Sequence, residues 1–97
     1  MARLAQDSKL RGDVESYLAY LIHQWEGIPE LAAEWDTWDD LSRLTFAENW
    51  GVPSDRLGSL RVWAKQGLLT AEQRRRYEEL EQLVARHAPT LERLLTA

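Results

Sequence analysis

His23 and His87 are the residues best suited to metal or proton-transfer chemistry in this chain, and their placing favours neither. A helix aims two metal ligands along one face through a Glu-x-x-His or His-Glu-x-x-His spacing, and each histidine stands outside such a pattern. His87 falls on an apolar helical stripe, which reads as a core or seam position, and His23 reads as a surface residue. The acidic run Glu34-Trp35-Asp36-Thr37-Trp38-Asp39-Asp40 could offer carboxylates to a hard cation. It lacks the alternate-position ligands and the turn glycine of a calcium loop. Its aspartates suit a helix N-terminus better, each stabilising it by a few tenths to about 1 kcal/mol, with the two tryptophans packed on the core. No Gly-rich phosphate loop or Ser/His/Asp pattern is present, and the chain has no cysteine to act as a nucleophile. The expectation is a non-catalytic protein with no cofactor and no metal.

A second constellation concerns binding. The stretch Phe46-Ala47-Glu48-Asn49-Trp50-Gly51-Val52-Pro53-Ser54-Asp55-Arg56-Leu57-Gly58-Ser59-Leu60 resembles a helix-turn-helix. Ala47 stands at the small-residue position, Gly51 at the turn, Val52 just after it, and Leu57 and Leu60 where the second helix packs inward. Leu60 to Leu69 is similar to the end of the reading helix of a winged or MerR-type regulator, although the stretch between Gly51 and Leu60 is about three residues longer than that pattern. The resemblance covers about a quarter of the chain. It implies a DNA-binding regulator in which Arg56, Arg61, Lys65, Arg74, Arg75 and Arg76 would meet phosphates. Helical spacing weighs against it: with Leu57, Leu60 and Ala64 inward, the outward face is Asp55, Gly58, Ser59, Val62 and Gln66. That face carries no cation, and Asp55 repels phosphate.

The same face suits another helix. Gly58 and Ser59 permit close approach, and Val62 supplies an exposed apolar side chain one turn on. A further candidate is the aromatic region from Trp38 to Trp50, where Trp38, Leu41 and Leu44 drift round one side of a helix while Phe46 and Trp50 occupy another. Sharing that helix across a dimer would bury both sides. Trp38, Trp50, Gly58, Ser59 and Val62 are therefore the expected protein-contact residues. A homodimer is the expected state, another protein is a second possible partner, and nucleic acid ranks below both.

All these residues are placed by helices. No segment alternates apolar and polar residues long enough to form a strand, so the fold is expected to be all-α, a compact bundle of four to five helices with a helix-turn-helix-like angle between the middle ones. Asp13 is a plausible N-cap for a first helix that Gly27 ends, and Pro29 opens a second that continues, or restarts with Asp36 as N-cap, to Trp50. Ser54 caps a third, which Gly67 stops. Thr70-Ala71-Glu72-Gln73 is a capping box that opens a last helix, kinked or split by Pro89. Residues 1–8 read as a flexible tail and 9–97 as one domain, with Leu21, Trp25, Trp38, Leu57, Leu60, Leu80, Val84 and Leu91 in its core.

The 97 residues, 44% of them apolar, suffice for one small core. No apolar run approaches the ~20 residues needed to span a bilayer, and the first residues lack the apolar stretch of a signal peptide, so the default expectation is a cytoplasmic protein without membrane contact. Charge divides unevenly: residues 1–50 hold ten acids and four bases, residues 51–97 six acids and eight bases. The two halves are electrically complementary, within one fold or across an oligomer.

Overall fold

The computed structural model describes residues 2–96 and is all-α, with no strand among them. Five α-helices run α1 (Ala2–Glu26), α2 (Ile28–Glu34), α3 (Asp40–Asn49), α4 (Gly51–Lys65) and α5 (Ala71–Thr96), with a short 3-10 turn at Trp35–Thr37. They form three bent rods rather than the expected bundle of four or five helices, because two of the anticipated breaks are helical.

The first is Gly27, which has right-handed helical dihedrals; its N–H donates to the His23 carbonyl and its own carbonyl accepts from Leu31. The apolar register explains this. Val14, Leu18, Leu21, Trp25 and Ile28, all buried, follow one another in steps of four and three straight across the glycine. The ~1 kcal/mol that glycine costs inside a helix is small beside ~1.5–3 kcal/mol for each large side chain buried. The same holds for Gly12, and α1 starts at Ala2, upstream of Asp13 and through most of the stretch read as a tail; Met1 lies outside the described residues.

The second is Gly51. Trp50 joins α3 to α4 in helical conformation (φ −66°, ψ −14°), its N–H donating to the Phe46 carbonyl and its carbonyl accepting from Ser54. Ser54 therefore lies within α4 and does not cap it. Trp50, Pro53, Leu57, Leu60 and Ala64 continue one buried stripe through the junction. Pro53 lacks an N–H and its ring crowds the carbonyl four residues back, so the rod bends here. A left-handed glycine turn is absent: among the described residues the single positive φ is that of Gly67 (74°), which ends α4 as expected.

The Thr70 capping box is present: the Gln73 N–H donates to Thr70 Oγ1 at 3.2 Å and the Thr70 N–H to Gln73 Oε1 at 3.1 Å. Gln73, 3% exposed, also donates through Nε2 to Glu15 and to the Arg11 carbonyl, tying the start of α5 to α1. From it the stripe Gln73, Tyr77, Leu80, Val84, His87, Leu91 and Leu94 is buried or half-buried, and α5 passes through Pro89 unbroken. The rods alternate in direction: Gln73 lies beside Arg11 and Glu15, Leu83 beside Ile22, and the reversed α4 sets Trp50 on Trp25 and Trp63 on Tyr17. The molecule measures 52 × 23 × 17 Å.

Of the expected core, Leu21, Trp25, Leu57, Leu60, Leu80 and Leu91 are buried and Val84 is half-buried. Trp38 is half-buried as well, and Trp35 takes the interior place in that turn. The helix restarts at Asp39, whose carboxylate accepts from the Ser42 N–H at 2.7 Å, and not at Asp36. The Ser42 side chain and that backbone bond, with the nearby Arg43 guanidinium, hold the Asp39 carboxyl below its ordinary value.

Candidate functional site

The aromatic region gathers at one end of the molecule. Trp35 meets Trp38 and Phe46 at ring-centroid distances of 5.6 Å, Phe46 meets Trp50 at 5.6 Å, and Trp50 meets Trp25 edge-on at 5.4 Å. Arg43 lies over the Trp35 ring and donates two hydrogen bonds to the Trp35 carbonyl, which fixes α3 to the turn before it.

Helix α3 is otherwise poorly covered. None of its residues is buried, and it holds Leu41 and Leu44 out at 72% and 56% exposure. Leu41, Trp38, Phe46 and Thr45 border an open hollow of about 670 Å³, adjoined through Trp38 and Phe46 by a smaller one of about 230 Å³ that reaches Trp50 and Ile28. Of the sequence candidates, Trp38 thus lines an open apolar surface, whereas Trp50 is buried and supports it from below. Leu41 and Leu44 carry more of the exposed surface than either tryptophan, and their drift away from the Phe46–Trp50 stripe was the signal for it.

The second candidate face lies further along the same rod. Gly58 is exposed, with nothing within 4 Å of where a Cβ would sit; Ser59 is half-buried, and Val62 is 53% exposed. No neighbour within this chain requires the absence of a side chain at Gly58.

The cations named as DNA contacts are mostly engaged inside the fold. Arg56 stacks over Tyr20 and Tyr17 at 4.4 and 5.5 Å. Arg61 makes a two-pronged pair with Glu81, with hydrogen bonds of 2.8 and 3.0 Å. Arg74 donates to the Ala64 carbonyl at the end of α4, Arg75 lies 3.8 Å from Glu79, and Arg76 pairs with Glu15. Lys65 is exposed and has no ion-pair partner among the described residues. Arg76–Glu15 is the one of these pairs that joins the acidic and basic halves of the chain.

Burial alone would raise the Glu81 carboxyl, but hydrogen bonds from Arg61 and from the Tyr77 hydroxyl outweigh it and hold the group below its ordinary value of 4.5. Burial and the adjacent Glu81 raise Tyr77, and Glu81 raises Arg61. Glu15 is likewise lowered, first by Gln73 and then by Arg76. A carboxylate depressed in the folded state stabilises the fold fully above its unfolded value and loses that contribution as pH falls through its folded value. Unfolding free energy should therefore drop as pH falls below 4.5. In Glu81→Gln the drop between pH 6 and pH 3 should be smaller by about 0.5–1 kcal/mol, the scale of a partly exposed pair; equal drops in urea titrations of the two proteins would refute the assignment.

Among the described residues no group of three or more His, Asp or Glu side chains is placed to hold a metal ion, and no helix is long and apolar enough to cross a membrane. Asp36 sits in the 3-10 turn, Asp39 caps α3 and Asp40 lies in its first turn. His87 is half-buried and His23 exposed. Against protein-family models, curated proteins and solved structures, the chain gives no match.

Proposed function

We propose that this chain is a non-catalytic helical domain that acts by protein–protein contact, and that its partner is a second copy of itself. One observation carries the reading: α3 is a ten-residue helix with no buried residue, and it holds two leucines largely in solvent, Leu41 on an open hollow with Trp38 and Phe46 and Leu44 on a second one with Leu94 and Leu95.

DNA reading is less well supported. Five of the six candidate cations already have partners within the chain, Asp55 is exposed on α4, and the turn at Trp50 between α3 and α4 is a single right-handed residue rather than a left-handed glycine turn.

Sedimentation equilibrium or light scattering over a concentration series tests the proposal. The expected mass is twice 11.3 kDa. Leu41→Glu combined with Leu44→Glu should shift it to that of one chain while the helical dichroism is kept. A single-chain mass for the unaltered protein up to about 100 μM would overturn the proposal, since ~5.5 kcal/mol of association free energy already corresponds to that range.

A further inference from the structure

Among the described side chains, four of the five large apolar ones that are exposed stand on one rod: Leu41 and Leu44 on α3, Val52 and Val62 on α4. Their steps of three, eight and ten residues confine them to a sector of roughly 80° at about 100° per residue. The stripe is thus the outer counterpart of the buried one through Trp50, Pro53, Leu57 and Leu60. Charge along the rod is polar. Residues 26–48, at and around its α3 end, hold seven acids and one base; at its α4 end Arg56 is taken up by Tyr17 and Tyr20 and Arg61 by Glu81, which leaves Lys65 as the outward cation. Arg43 is turned to the Trp35 carbonyl, and Lys65 stands exposed at the opposite end.

From this we infer that two copies pair through their α3–α4 rods in antiparallel order about a two-fold axis passing near the bend at Trp50–Pro53. The inference rests on the self-association proposed above and specifies its surface. Parallel pairing, or α3 laid on α3, would oppose the acidic ends of both copies. Antiparallel pairing sets each acidic end on the partner's basic end, and the two-fold repeats every contact twice. With the axis near residue 53, Leu44 meets the partner's Val62 and Asp40 meets the partner's Lys65. Glu48 then faces the Gly58–Ser59 surface, where the missing Cβ lets the rods approach. The two faces suggested by sequence, the aromatic region and Gly58/Ser59/Val62, become the two ends of one interface.

The absence of cysteine makes cross-linking a direct test. Leu44→Cys and Val62→Cys variants, prepared separately, mixed and oxidised, should form a mixed disulfide. Either variant alone should not, because two copies of residue 44 would stand about 27 Å apart along the rods at 1.5 Å per residue, far beyond the ~7 Å limit between bridged Cα atoms. A complementary test exchanges charge. Asp40→Lys and Lys65→Asp should each weaken dimerisation about tenfold at low salt, and the double variant should return to within about threefold of the original. Ready self-cross-linking of Leu44→Cys, or a double variant weaker than both single ones, would overturn the antiparallel arrangement and leave self-association standing. A single-chain mass for the unaltered protein would remove both.

Discussion

Trp35→Ala is expected to lower the unfolding free energy by about 3–5 kcal/mol, the range for deleting a large buried aromatic, out of the ~5–15 kcal/mol typical of a whole domain. The indole is 7% exposed and touches Trp38, Phe46 and the Arg43 guanidinium, so its removal opens a cavity beneath the helix that has least other support. Arg43 would still reach the backbone carbonyl at position 35 but would lose the ring beneath it. Urea unfolding followed by far-ultraviolet dichroism is the suitable measurement, because the substitution removes a fluorophore. A loss below about 1 kcal/mol would mean that α3 is held by other contacts.

Leu60→Ala should cost a comparable amount, about 2–5 kcal/mol. Leu60 is fully buried in α4 and belongs to the same core as Leu18, Leu21 and Leu80, also fully buried, so a void there would have contributions from all three rods. Leu60→Met, which nearly conserves volume, should cost less than about 1.5 kcal/mol. The contrast between the two variants separates cavity formation from a change in helix propensity, since Ala is the better helix former. Similar losses for both would exclude packing at Leu60 as the cause.

Local chemistry was the part of this fold legible in sequence. The Thr70–Gln73 box and the stop at Gly67 depend on neighbouring residues only, and both are present. Glycine by itself was a poor guide. Gly27 and Gly51 look like stops, but the four–three apolar register runs through each, and burying Ile28, Trp50 and Leu57 outweighs a glycine's cost. Following the register rather than the glycine would have given three rods. Asp36 and Asp39 were equivalent as caps on paper; the extended backbone at Trp38 decides for Asp39. The same turn puts Trp35 inside and leaves Trp38 on the rim, a choice one helical face cannot reveal.

At the candidate surface, the anomaly was visible before its meaning. Leu41 and Leu44 did not share a stripe with Phe46 and Trp50, and the structure shows them in solvent. Among the arginines only the Arg75–Glu79 pair has a local spacing, four residues along one helix. Arg56 finds Tyr17 and Tyr20, and Arg61 finds Glu81, across separations at which no local spacing rule applies.

The odd number of rods has a mechanical consequence. Leu10 lies beside Gly67 and Leu69 at one end, while Leu94 and Leu95 lie beside Asp40 and Leu44 at the other, so α1 begins and α5 finishes near opposite ends of a 52 Å body. Tension applied across those two points runs along the rods. It loads the seam between the first and third rods in shear, straining many side-chain contacts together, where a two- or four-rod hairpin pulled from adjacent ends would unzip one turn at a time. Resistance to such a pull is set by the barrier to unfolding rather than by equilibrium stability. That barrier belongs to the seam where Gln73 grips α1 and Leu80 and Leu91 enter the core.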